Sequence, residues 1–300
     1  MSGTEPRETW YREPHTTRAP RPQEEPALAT LDLPLRYYWL QTPAGVPGDE
    51  HNFAHYERAF SIPAEQAAFT IVDAWDYHYL QSHLARTSEI CRTRIAPAMA
   101  AARLAGVTIV HAPGDPVARR FPQWVRYAAE TEFGEPSHEE PDWPPREFRK
   151  REGPHAALGR PDSPAIESAR ERNSQRMIDP SVSPEPEDFV IATGHQLHRL
   201  CRDREIMYLF YCGFATNMCV PNKPYGMREF NSRGYHLTLL RDCTTSVERH
   251  DTVDEQLGTE QAVRELEFGG AFTTTADLFV QACRNAIAQE GATLAEPVAV

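Results

Sequence analysis

Three hundred residues suffice for one large domain, or two small ones, with a substantial core. A formal charge of −12 opposes a nucleic-acid backbone or an anionic membrane as partner, because either would repel the chain. No apolar run reaches the roughly 18 residues of a membrane span, and MSGTEPRETWYREPH has no apolar segment for a secretory signal.

Six cysteines (Cys91, Cys201, Cys212, Cys219, Cys243, Cys283) form no CxxC pair, so reduced thiols and a cytoplasmic location are expected, and a structural zinc site is not. Residues 1–55 are rich in Pro, Arg, Glu and Thr and read as an N-terminal extension, either an arm or disordered. Only LPLRYYWLQTP (33–43) carries aromatic weight there.

From residue 56 one domain is expected. FTIVDAW (69–75) suits a buried strand. SEICRTRIAPAMAAARLAG (88–106) reads as a helix kinked at Pro97, and VTIVHAPG (107–114) as a second strand. That unit implies a parallel pair with a right-handed crossover. Residues 116–186, dense in Pro, Arg, Glu and Asp, look like a polar insertion, and long insertions are lids or disordered. Phe121, Trp124, Tyr127, Trp143 and Phe148 favour a partly packed lid.

The alternation then resumes. Strands are expected at 188–192, 206–213, 235–242 and 271–275, and helices at 194–203, within 216–234, at 251–268 and at 276–289. The class is α/β, a three-layer sandwich around a six-stranded, mostly parallel, doubly wound sheet.

Ligands of such sheets bind outside the carboxyl ends of the strands. The residues leaving the strands there are Asp73, Trp75, Asp76, Tyr77 and His78, then His111 and Asp115, then Thr193 and His195, then Gly213 to Val220. Cys219 falls in the first turn of a helix, where free N–H groups and the dipole favour a thiolate and can hold an oxyanion. Asp73 is a candidate to take the thiol proton and return it to a leaving amine. The plainer reading of Cys219 is a small apolar residue packing a helix start.

FTIVDAWD, GVTIVHAP, YLFYCGFATNMCV and GYHLTLLRD together resemble the isochorismatase-like cysteine hydrolases, over roughly residues 64–290 apart from the insertion. The resemblance implies Cys219 as nucleophile, Asp73 as proton acceptor and a cis peptide at Phe214–Ala215. It also implies an oxyanion hole from the N–H groups of Ala215 and Cys219, and a homo-oligomer. One departure stands out. The family's third catalytic residue is a lysine after the third strand, and DFVIATGHQLHRL has none. The chain's two lysines are Lys150, in the insertion, and Lys223, one turn beyond Cys219 past Pro221 and expected to reach poorly. His195 is the candidate on the right strand end.

Some relatives, the nicotinamidases, carry an Asp-x-His…His zinc site after the second strand. Asp76-Tyr77-His78 has that spacing with His83 nearby, but follows the first strand, so no metal and no cofactor are expected. Trp75, Tyr77, His111 and Phe214 are expected to line a mostly neutral pocket for a small-molecule substrate. The activity implied is hydrolysis of a C–N bond in a small amide, carbamoyl or ureido compound. A non-hydrolytic binding protein of the same fold and a vinyl-ether hydrolase of the isochorismate type remain alternatives.

Overall fold

A computed structural model of the protein describes residues 29–124, 142–161 and 163–295. The first 28 residues of the expected extension, and 125–141 of the insertion with Tyr127, lie outside the described residues.

Six strands form the parallel part of the sheet: β3 (Ala67–Val72), β4 (Thr108–Ala112), β5 (Phe189–Val190), β6 (Tyr208–Phe214), β7 (His236–Thr245) and β8 (Phe272–Thr274). Every residue of β3 is buried. Its alternate side chains serve opposite faces, with Phe69 and Ile71 in one core and Ala68 and Val72 in the other. A strand with both faces covered reads as a continuous apolar run, which is why FTIVDAW was legible.

The sheet has eight strands rather than six, in the order β2-β1-β8-β7-β6-β3-β4-β5. β1 (Thr30–Trp39) and β2 (Ala54–Pro63) come from the stretch expected as a leader. They pair antiparallel over ten residues, and β1 joins β8 antiparallel. The domain therefore begins well before residue 56. The extra strands escaped detection because an edge hairpin alternates weakly: Leu31, Leu33 and Leu35 are buried, while β2 is mostly exposed.

The helical layers flank the sheet. On one face lie α1 (Gln81–Ile90), α2 (Ala96–Leu104) and the closing helix, which runs Ala276–Ala295. Between α1 and α2 the residues Cys91–Ile95 form a π-type turn. The expected break at Pro97 is thus absorbed one turn earlier, because proline at the second position of α2 has no N–H to give the preceding turn. The other face carries Gly194–Asp203, Met227–Ser232 and Leu257–Phe268.

The hairpin is fastened by charge. Glu267 is fully buried and accepts from Arg36 Nε at 2.8 Å, from His55 Nε2 at 2.8 Å and from the Thr273 hydroxyl at 2.6 Å. Arg36→Met would leave that buried carboxylate short of its main cation. It is expected to cost about 3 kcal/mol in urea melts, whereas Arg92→Met, on an exposed pair, is expected to cost under about 1 kcal/mol.

Candidate functional site

β3 has β6 on one side and β4 on the other, so the sheet's connections run outward in both directions from the β6–β3 junction. A crevice opens at such a point beyond the carboxyl ends. Asp73 leaves β3 there with φ 46, a left-handed backbone uncommon for aspartate. Such strain concentrates where a side chain must be aimed.

The nucleophile loop leaves β6 beside it. Gly213 has φ +104, and a Cβ on it would sit 2.0 Å from the Val72 carbonyl oxygen. The Phe214–Ala215 peptide is cis. Thr216 pins the loop by donating its N–H to Thr245 O at 3.2 Å and by a hydroxyl contact with Thr244 at 2.6 Å. Asn217 exchanges two hydrogen bonds with the Val247 backbone. The loop delivers Cys219 to a single helical turn, Cys219–Asn222.

These elements enclose a cavity of about 210 Å³. Asp73 and Cys219 line it, Trp75, Tyr77 and Phe214 form aromatic walls, and Met218 and Val247 add apolar surface. Cys219, Asp73 and the Ala215 amide line the cavity together. Among the described residues neither the Ala215 nor the Cys219 N–H donates to a backbone carbonyl. Tyr225, buried behind, donates its hydroxyl to Asp73 Oδ1 at 3.2 Å.

The electrostatics differ from the expected standing thiolate. Burial raises Asp73 to about 6, against Lys223, the Cys219 and Tyr225 hydrogen bonds and Arg176. Burial and the Asp73 charge push the Cys219 thiol up to about 12, against Lys223 and the Ala215 N–H. A one-turn helix has too small a dipole to prevail. The resting pair near pH 7 is a thiol facing a carboxylate. Iodoacetamide is accordingly expected to alkylate Cys219 at pH 6.5 no faster than a free cysteine, by peptide mass spectrometry. Faster labelling than free cysteine would reveal a standing thiolate.

Two expected site residues lie elsewhere. His111 points beneath the sheet, fully buried, with Nε2 3.3 Å from Asp188, which Arg103 also pairs. It does not line the cavity, because it lies within β4 rather than beyond its end. His195 does not line the cavity; it lies one turn before His198 on its helix. Lys150 is exposed on the short helix Arg146–Lys150 and does not line the cavity either.

The insertion does return to the site. Ile178 bridges Trp75, Asp76 and Met177 exchange hydrogen bonds, and the Asp179 N–H donates to Ala74 O at 2.9 Å. Arg176 thereby lies 3.4 Å above the Trp75 ring, and Arg172 lies above Tyr77. Neither arginine, nor Tyr225, was singled out in the sequence, since all three depend on chain returns that no local pattern announces.

His78 and His83 line the cavity with rings 5.0 Å apart, and burial lowers both, His83 to about 4. Asp76, which shares their spacing, is committed to the Met177 N–H at 2.8 Å. Two imidazoles with the carboxylate engaged elsewhere do not fit a three-ligand zinc site, and no cluster of three ligating side chains occurs among the described residues.

Residues 68–277 match the family model of the isochorismatase domain. The chain belongs to the isochorismatase family. Its members are hydrolases, and no helix among the described residues of this one is long and apolar enough to cross a membrane. Solved structures similar to this family member include a cysteine hydrolase from Pseudomonas syringae pv. phaseolicola 1448A, at 16% identity over 75% of this chain and 95% of that one, TM-score 0.48. An isochorismatase family protein from Burkholderia thailandensis is 15% identical over 73% and 96%, TM-score 0.41. An octameric hydrolase of unknown specificity from Escherichia coli is 12% identical over 77% and 85%, TM-score 0.41. No curated protein matches the sequence.

Proposed function

We propose that this isochorismatase-family chain is a cysteine hydrolase that cleaves a C–N bond of a small amide, carbamoyl or ureido compound through a thioester. The observation that carries this reading is that Cys219 and the buried Asp73 carboxylate line one cavity, with the Ala215 amide beside them. As Sγ attacks the substrate carbonyl carbon, the thiol proton passes to Asp73. The carbonyl oxygen becomes an oxyanion held by the N–H groups of Ala215 and Cys219. Asp73 then gives its proton to the leaving nitrogen, the C–N bond breaks, and an acyl-thioester remains on Cys219. Water adds with Asp73 as base, and the acid departs while the thiol regains its proton.

A cavity of about 210 Å³ is smaller than the roughly 300 Å³ or more of a drug-sized site, which supports a small substrate. Aromatic walls with few polar groups favour a flat or apolar acyl portion. Self-association belongs to the same reading, because β2 pairs on one side only among the described residues. Sedimentation velocity tests it, and a monomer at micromolar concentration would refute it.

The activity test is a panel of amides, carbamoyl compounds and ureides read by ammonia release, with acid-quenched mass spectrometry for the acyl adduct. Cys219→Ala is expected to lose activity by at least about 10³-fold and to show no adduct. Retained activity in that variant would overturn the nucleophile and favour an acid-catalysed vinyl-ether cleavage.

A further inference from the structure

We infer that the loop following the nucleophile, Lys223 to Tyr225, replaces the lysine absent from the strand-end loop at 191–195, with both side chains acting as positioning residues for the Asp73 carboxylate. The inference rests on the Cys219–Asp73 pair proposed above and adds what holds its base.

The path of the chain makes the replacement possible. Lys223 closes the single turn after Cys219, its N–H donating to the Cys219 carbonyl at 3.0 Å, and then leaves the helical path with ψ 156. The Gly226 N–H returns to Lys223 O at 2.7 Å, so residues 223–226 fold back in a tight turn. That turn drives the Tyr225 ring into the core, where its hydroxyl reaches Asp73 Oδ1 at 3.2 Å. The Tyr225 carbonyl in turn accepts from the hydroxyl of Tyr211, fully buried in β6, at 2.9 Å. Lys223 is thus bracketed between a residue that faces the base and a residue that bonds to it.

The strand-end loop has yielded the space. A Cβ on Gly194 would lie 2.1 Å from the Pro224 carbonyl oxygen and 2.8 Å from its carbon, both backbone atoms. No side chain can stand at Gly194 while the 223–226 turn is seated against it. The expectation that Lys223 would reach poorly assumed that the helix of Cys219 continues. Pro224 stops it after one turn, because the residue before a proline is pushed to extended backbone, as Lys223 is at ψ 156, and proline supplies no N–H to a continuing helix.

The charged and titratable groups acting on Asp73 come from two elements. The segment after β6 supplies Cys219, Lys223 and Tyr225, and the returning insertion supplies Arg176. Lys223 is the first of the favourable influences on the carboxylate, and it also favours the Cys219 thiolate. Arg176 contributes less and is engaged elsewhere, over the Trp75 ring and on Asn173 Oδ1 at 2.8 Å. A positive charge in the surroundings and a hydroxyl donor on the carboxylate both favour its ionised form, the form a base requires.

The test reads Asp73 directly, by carbon-13 NMR of aspartate-labelled protein with Asp73→Asn identifying the resonance. The wild-type carboxyl is expected to titrate near 6. Lys223→Met is expected to move that midpoint to about 7 or above, and Tyr225→Phe to move it the same way by less. Lys223→Arg is expected to return it toward the wild-type value. The isosteric Tyr225→Phe and the half-exposed Lys223 site keep the fold, as circular dichroism will show. A midpoint unmoved in both Lys223→Met and Tyr225→Phe overturns the inference, as does one moved by Arg176→Met alone. The readout needs no substrate. An unmoved midpoint beside Cys219-dependent hydrolysis sinks this inference only, and a moved midpoint without hydrolysis sinks only the proposed function.

Discussion

Asp73→Asn is expected to cut hydrolysis by about 10³-fold and, above pH 6, to make the protein more stable than wild type. The two effects have one cause. The carboxylate is buried, its Oδ2 has no hydrogen-bond partner among the described residues, and burial raises it from 3.8 to about 6. A folded-state value above the unfolded one means that the native protein holds the proton more tightly. The stabilisation this proton gives is complete below pH 4 and is lost as pH rises through about 6.

The loss amounts to up to about 3 kcal/mol from a shift of this size. Asparagine keeps the acceptor for Tyr225 and does not titrate, so the variant escapes that loss. The difference in Tm between Asp73→Asn and wild type is therefore expected to grow by several degrees from pH 4 to pH 7. Wild-type kcat/KM is expected to rise with pH through about 6 and to show no further rise near 8.5, since the thiol is pushed up to about 12. A Tm difference that does not change with pH, or an asparagine variant retaining a tenth of the activity, would refute the assignment.

Gly213→Ala is expected to be the most damaging single substitution around the site, with a loss of at least about 3 kcal/mol or failure to fold. The backbone at φ +104 is one that L side chains rarely adopt. A Cβ there would also meet Val72 O at 2.0 Å and Val72 N at 2.7 Å, and both atoms belong to the β3 backbone. Relief requires β3 and β6 to part where they present Asp73 and Cys219. Gly234→Ala separates strain from collision, because φ is +86 and nothing lies within 4 Å of the added Cβ. That variant is expected to cost about 1 kcal/mol, measured by the same urea melts. Equal costs would show that collision with β3 contributes nothing.

The sequence by itself determined the six parallel strands and the positions of Asp73 and Cys219 beyond two of them. Buried parallel strands such as FTIVDAW and IMYLFYCG are continuous apolar runs; Asp73 follows the first directly and Cys219 follows the second after a short loop. Such signals are local, so one sequence suffices to read them. Tertiary structure alone decided the rest. The β1–β2 hairpin depends on antiparallel pairing with β8, some 240 residues away, and its half-exposed pattern announces nothing. His111 and His195 were legible as strand-exit residues, but side-chain direction sent one under the sheet and left the other off the cavity. Cys219 occupied the helix start foreseen for it, yet its protonation follows burial and the Asp73 charge rather than that position. Tyr225 reaches Asp73 through a tight turn, and the charges of Lys223 and Arg176 act on it from that turn and from a returning insertion. A residue's chemistry is written in its identity, but its partners and its dielectric surroundings exist only once distant segments have packed.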